Sequence, residues 1–284
     1  MKNKMKNIYA LLAFIMILVV SCDKTGDSAE ADALVLPPFE SMAVDFGDFM
    51  EDPANMAKGN NLVSKVGSHW GSSRLVVGYW NTALFTSLAV PVASFKTAFK
   101  HDAERITDNK WQWTYTVEGF TGQYVARLTG ELSGEEVIWE MFVTRTGIEG
   151  FDEFLWFSGV SARDGNSGEW TLYQDAEHPN SMINIEWERS NNEIASIRYT
   201  WVRELNDDDV ADPYKNSYLE YGLQEGDFNV YYDIHVYNPE MEAFVDVDIE
   251  WNRTDYNGRV MAPAYYQDEA WHCWDSMGED VDCE

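Results

Sequence analysis

Basic residues are scarce in this chain: 20 lysines and arginines stand against 49 aspartates and glutamates, for a formal charge of −29 at pH 7. Such a field repels phosphate backbones and anionic headgroups, so nucleic acid is set aside as a partner. Cations, neutral sugars, apolar ligands and basic protein surfaces remain. The familiar catalytic motifs are missing too: there is no G-x-S-x-G elbow, no G-x-x-x-x-G-K-[ST] loop, no H-E-x-x-H and no C-x-x-C pair. That removes the easily recognised enzymes, and no cofactor or metal set is identified. Nor do the aromatic residues recur at the fixed period of a propeller.

What is present is ample material for a core. Of 284 residues, 45% are hydrophobic and 14% aromatic, enough for a large folded body rather than a disordered chain. The N-terminus reads M-K-N-K-M-K-N, then an apolar run from Ile8 to Val20, then Ser21-Cys22. A charged start and a short apolar run make a signal peptide over residues 1–21, too short for a comfortable membrane span. Its end, L-V-V-S-C, resembles the lipobox of bacterial lipoproteins, which implies that Cys22 is diacylated and becomes the mature N-terminus. Loss of Lys2, Lys4 and Lys6 with the leader then leaves 17 basic against 49 acidic residues, a net −32. Residues 22–40 are small and acidic at first, with Pro37-Pro38 near the end, and read as a flexible tether to a single domain over 41–284. The partner implied is a membrane, reached through the lipid, and the location is the outer membrane, facing periplasm or cell surface.

Within the body, Met42 to Phe46 alternates and is expected as a first strand; Asp48, Asp52 and Asn55 then read as loop. A helix is predicted over about 73–103, because Val76, Trp80, Leu84, Leu88 and Val92 step by four and Phe95 and Phe99 continue the stripe. Asn81, Thr82, Thr86, Ser87 and Ser94 interrupt it and Pro91 lies inside it, which argues for a buried, kinked helix and against a membrane span. From Trp111 the period becomes two. Trp111, Trp113, Tyr115 and Val117 share a face, as do Val137, Trp139, Met141 and Val143. Further runs follow to Trp251, separated by turn signals such as S-G-E-E, S-N-N-E, Q-E-G-D and N-P-E-M. The expected fold is mainly β: an antiparallel meander forming a barrel-like or strongly curled sheet, with one long helix in or against it. Cys273 and Cys283 remain once Cys22 is assigned, and in an oxidising envelope they pair to pin the C-terminal tail.

W-N-R-T followed by G-R-V, then W-H-C-W-D-S-M-G-E-D-V-D-C, with the upstream W-x-W-x-Y and S-G-E-W-T-L-Y runs, resembles uncharacterised β-rich envelope lipoproteins of Bacteroidota. The resemblance implies location and fold and brings no activity with it.

Chemistry is sought in several places. If the helix leaves the sheet's concavity unfilled, Leu84, Leu88, Val92 and Phe95 wall an apolar ligand cavity. In F-V-D-V-D-I-E-W, Asp246, Asp248 and Glu250 share a face, and matching apolar faces across N-P-E-M sets His235 near Asp246 and Asp233 near Asp248. That acidic cluster suits acid/base work or a cation, although a solvated face needs the same pattern. Glu186 and Glu188 raise a carboxylate-dependent, glycosidase-like hydrolase, but they stand side by side on one strand. Asp164, Asn166 and Gly168, and the acidic run from Asn206 to Asp212, carry oxygen ligands but lack calcium-loop spacing. Trp70, Trp271 and Trp274 lie outside clear strands and are the candidates for a surface glycan platform, with His272 a structural hydrogen-bonder beside them. The leading expectation is a non-catalytic, lipid-anchored envelope protein binding a glycan or an apolar, lipid-like ligand. The rivals are the hydrolase and a structural or protein-interaction scaffold without a small ligand.

The anchor is directly testable: Cys22→Ala should abolish incorporation of labelled fatty acid and release the protein from the membrane fraction, and continued labelling would refute it.

Overall fold

The computed structural model describes residues 34–44, 49, 67–119, 122–147 and 150–283, without the side chains of 85–87, 89 and 119. The leader, Cys22, Asp48, Asp52 and Asn55 lie outside the described residues. One compact unit runs Leu34–Glu284. It holds a 3₁₀ turn, η1 (Phe39–Ser41), a long helix, α1 (His69–Ala98), and a short one, α2 (Pro263–Tyr266). Among the described residues fourteen strands accompany them. The first seven are β1 (Glu104–Arg105), β2 (Lys110–Gly119), β3 (Gly122–Ser133), β4 (Glu136–Arg145), β5 (Phe151–Ala162), β6 (Ser167–Tyr173) and β7 (Ser181–Ser190). The rest are β8 (Glu193–Trp201), β9 (Tyr218–Leu223), β10 (Val230–Asn238), β11 (Ala243–Trp251), β12 (Gly258–Met261), β13 (His272–Trp274) and β14 (Asp280–Val281). They form one antiparallel sheet in sequence order, β1 to β14, an open meander in which β1 and β14 each have one neighbour.

The turns follow from local chemistry. Asn191 and Asn192, between β7 and β8, both take positive φ (52° and 68°), the pair that a tight hairpin turn of matching twist requires and that asparagine tolerates. Gly134 takes φ 68° between β3 and β4. At the β10–β11 turn, the Asn238 side chain accepts hydrogen bonds from the backbone N–H of Glu240 and Met241.

The inner face follows the alternation. Trp111, Trp113, Tyr115 and Val117 are buried, as are Val137, Trp139, Met141 and Val143. Indoles alternate with glycines across it: Trp111 pairs with Gly130, Gly130 with Trp139, Trp139 with Gly159, and Gly159 with Trp170. The same device recurs where Gly258 lies between Trp251 and Trp274. A Cβ at Gly159 would come within 2.3 Å of Trp170, and one at Gly130 within 2.6 Å of Trp139. Each large ring therefore occupies the space that its neighbour's missing side chain leaves. Trp139 donates its indole N–H to Ser161 Oγ at 2.9 Å, and Trp170 to Ser41 Oγ at 3.2 Å.

Two segments cover this face. The first is the described part of 34–49, where a β-strand and a tether are expected. Leu34 reaches Gly130, Ser41 accepts from Trp170, the Val44 N–H donates to Tyr199 Oη at 3.1 Å, and the Phe49 ring lies 5.3 Å from Tyr232 and 5.1 Å from Trp251. Met42 to Val44 are no strand, and Asp45 and Phe46, the rest of the expected one, lie outside the described residues. Leu34, Leu36 and Phe39, expected in the tether, pack on the core.

The second is α1, which starts earlier than predicted because Ser68 caps it, its hydroxyl accepting the Gly71 N–H at 3.1 Å. It runs through Pro91 and ends at Ala98. Trp70, Val77, Trp80, Leu84, Leu88 and Phe95 are its buried stripe. Steps of four overshoot a turn by about 40° each. Val76 and Val92, at the two ends of the predicted series, accordingly fall on the flanks and are only partly buried. Phe99 lies beyond the helix and is exposed. The hydroxyls of Ser72, Ser73, Thr82 and Thr97 bond back to carbonyls one turn earlier, which satisfies these polar groups within the helix. Among the described residues no helix is long and apolar enough to cross a membrane.

Gly159→Ala should destabilise the protein by about 1–3 kcal/mol, the usual range for overpacking. Gly67→Ala, where an added Cβ meets nothing within 4 Å, is the control. Thermal unfolding of the two variants distinguishes them, and equal melting temperatures would contradict the packing account.

Candidate functional site

Leu84 borders a crevice of about 30 Å³, shared with Trp80, Ile183, Tyr199 and Trp201. That is room for about two waters and far below a small-molecule site. Leu88 and Phe95 lie in the core, Phe95 against Phe157 and Trp170, with Val92 at its margin.

The hairpin of β10 and β11 brings the acidic candidates together in the register expected from their faces. Asp233 pairs with Asp248 and His235 with Asp246. His235 Nδ1 lies 2.6 Å from Asp246 Oδ1, and its ring stacks between Tyr218 and Phe244, at 5.5 and 4.6 Å. Tyr218 donates to both oxygens of Asp233. Asp248 faces Asp233 and has Asp246 and Glu250 two residues away on its own strand. Burial, then these three carboxylates, hold its pKa above the ordinary aspartate value. Among the described residues no group of three or more His, Cys, Asp or Glu side chains is arranged to hold a metal ion.

The hairpin is part of a longer line. Cross-strand partners on the outer face run Glu169, Glu186, Arg198, Glu220, Asp233 and Asp248, one residue from each of β6 to β11. Arg198 Nη1 reaches Glu220 Oε2 at 3.0 Å and its guanidinium covers the Tyr218 ring at 3.6 Å. Tyr231 donates to Glu220 Oε1 at 2.6 Å, which, with burial as the larger cause, raises the Tyr231 pKa. On the β4–β9 part of this face lies a trough of about 800 Å³, bordered by Glu135, Glu136, Glu169, Glu186, Glu188 and Arg198. Glu186 and Glu188, side by side on β7 as the sequence requires, are exposed. The line across β6–β11 is not visible in the sequence, because the 16-residue link between β8 and β9 hides their register. The outward parity of each strand would reveal it once that pairing is known.

The other candidates are structural. The Asp164 carboxylate accepts from the Asn166 N–H and side chain, holding a turn. Asp212 accepts from Trp201 Nε1, Arg203 Nε and the Tyr214 N–H. Burial alone would raise its pKa, but these donors and the Arg203 charge lower it. Trp70 and Trp274, expected at the surface, are 3% and 2% exposed: the helix starts early enough to take in Trp70, and Trp274 lies on β13, too short to read from a pattern. Trp271 is half-buried under the Arg259 guanidinium, 4.3 Å from its ring.

At the start of α1, Asp280 Oδ1 accepts the His69 N–H at 2.8 Å and Tyr266 Oη lies 3.0 Å from His69 Nδ1. His272 stacks on Tyr266 at 3.7 Å and bonds Asp268 at 3.0 Å. Burial lowers the His69 pKa, Asp280 opposes this, and nearby His272 adds to it. The Cys273–Cys283 disulfide, S–S 2.12 Å, closes the loop that carries Asp280.

No protein-family model, curated protein or solved structure matches this chain.

The raised pKa of Asp248 fixes a sign. Its ionisation opposes folding, so the penalty is absent below the unfolded value and grows as pH rises through the folded one. Asp248→Asn should stabilise the protein at pH 7 by about 0.2–1 kcal/mol, the range for cross-strand pairs. The gain should shrink towards pH 4, as read from urea midpoints; a gain that does not vary with pH would contradict the electrostatic cause.

Proposed function

We propose that this protein is a non-catalytic, lipid-anchored envelope module that binds its partner on the outer face of the sheet. The observation that carries this reading is the contrast between two spaces: about 30 Å³ beside Leu84, and about 800 Å³ on the face bordered by Glu169 and Glu186. The first is too small for an acyl chain, which weighs against the carrier of apolar ligands. The second has the volume of a ligand site, but its polar side chains favour a hydrogen-bonding or charged ligand over an apolar one. A glycan fits less well, because no exposed ring lines the trough.

In this reading the sheet curls around α1 and the segment before it. Phe49 meets β10 and β11 while Leu34 meets β3, and α1 runs from Asp280 on β14 to Tyr115 on β2, whose hydroxyl donates to the Ser94 carbonyl at 2.7 Å. Covers that touch both ends of the strand order favour a curved sheet. The anchor at Cys22 and the outer-membrane location belong to the same proposal and rest on the lipobox.

The rival hydrolase has one specific observation behind it: Glu169 and Glu186 are directly opposite across β6 and β7, close enough for a carboxylate pair. Both are exposed on the open face of the sheet rather than set in a cleft. Incubation with a panel of nitrophenyl glycosides should give no turnover by the wild type. Turnover that Glu186→Gln abolishes would overturn the non-catalytic reading.

A further inference from the structure

We propose that the open edge of β2, residues 113–119, pairs antiparallel with the same edge of a second copy of this chain, about a two-fold axis through Thr116. β1 covers β2 only at Trp111 and Gln112, whereas β3 pairs with all of it. The Lys110 carbonyl accepts from Ile106 and Thr107 on the β1 side, and the Asn109 carbonyl accepts from Leu132 on the β3 side. Alternation along an antiparallel strand then points the N–H and C=O groups of Thr114, Thr116 and Glu118 away from β3, where they have no partner among the described residues. The link from α1 approaches from the inner face, where His101 stacks on Tyr115 at 5.0 Å, and Thr114, Thr116 and Glu118 are exposed.

Other open stretches of the sheet are blunted. β1 and β14 have two residues each. Residues 151–156 of β5, beyond the reach of β6, face two register shifts and include the left-handed Glu153, φ 48°. Residues 243–247 of β11, beyond the reach of β12, belong to the strand that α2 lies against. Short length, bulges and covering elements are the usual protections of an edge. Residues 113–119, W-T-Y-T-V-E-G, have an unbroken register, no proline and no lysine.

The edge is complementary to itself. Pairing about Thr116 sets Thr114 opposite Glu118 and Thr116 opposite its own copy, so all three residues exchange backbone hydrogen bonds, about six in total. Moving the axis to Tyr115 or Val117 leaves the groups of Glu118 or Thr114 unmatched, since β1 already holds Gln112 and β2 ends at Gly119. On the inner face Tyr115 meets Val117, a favourable aromatic and β-branched pair, and Trp113 meets Gly119, which repeats the indole and glycine pairing of the core. Charge agrees with a second copy despite the −29 of the chain. Elsewhere carboxylates stand opposite one another, Glu169 to Glu186 and Asp233 to Asp248, but the single carboxylate here, Glu118, meets a threonine. The axis stands perpendicular to the sheet, so both outer faces look the same way and the dimer displays two troughs to one surface.

The test begins with cysteine variants of the full chain, oxidised in intact cells and read on non-reducing gels. Thr116→Cys sets two thiols at a hydrogen-bonded cross-strand pair, about 5.5 Å between Cα atoms and within disulfide reach, and should give a covalent dimer. Val125→Cys, at the β3 residue paired with Thr116, is the control: its two copies lie about 15 Å apart and should stay unlinked. In sedimentation equilibrium of the purified full chain in one non-ionic detergent, Thr116→Lys puts like charges opposite each other and should raise the dimer dissociation constant about tenfold or more, against less than about twofold for Val125→Lys. Equal linking or equal losses at the two positions would overturn the proposal. So would a wild type that stays monomeric at about 100 μM, or a Thr116→Cys protein that links to a different polypeptide. Each of these outcomes leaves the non-catalytic reading standing, because that reading fails only on glycoside turnover.

Discussion

The sheet depends on indoles lying over glycines. A tryptophan on a sheet face is wider than the spacing between strands, and here the rings of Trp139, Trp170, Trp187 and Trp274 spread across neighbours that have no side chain. Trp111, Gly130, Trp139, Gly159 and Trp170 form one such sequence across β2 to β6. The arrangement makes the inner face smooth enough for a helix and an extended segment to lie along it. It also sets a steric tolerance close to zero, since the added Cβ distances at these glycines are below 3 Å.

With the inner face committed to packing, the excess negative charge is carried outside. Alternation sends every second residue of β6 to β11 outwards, and antiparallel pairing aligns them into a row. Part of the row is satisfied locally, by the Arg198 ion pair at Glu220 and by hydrogen bonds from Tyr218 to Asp233. The β6–β7 end is not. The same register that builds the core thus concentrates unpaired carboxylates on the opposite surface.

Much of this was legible in the sequence, for physical reasons that also mark the limits. Period-two runs such as Trp111 to Val117 reveal strand and face together, and the tight N-P-E-M turn sets the β10–β11 register, so Asp233 opposite Asp248 follows from pattern alone. Strands of two to four residues, β1 and β12 to β14, carry too few alternations to register, which is why Trp274 was expected at the surface. Met42 to Val44 alternate in the sequence yet form no strand, because three residues carry too little pattern to specify a backbone ladder. In α1, the step-of-four series identified the helix but tilted its stripe, because 3.6 residues per turn requires threes among the fours. Whether Leu84, Leu88, Val92 and Phe95 fill the sheet or wall a cavity is a choice that rotamers make and composition does not.

The capping of α1 by Asp280 joins residues 211 positions apart. During synthesis the helix emerges long before its acceptor exists, and its first turn keeps open N–H groups until β14 has paired with β13 and Cys283 has met Cys273. β14 therefore acts as a latch on the start of α1, so the His69 N–H meets its acceptor only after the residues up to Cys283 have been made, in the slow regime expected of distant contacts.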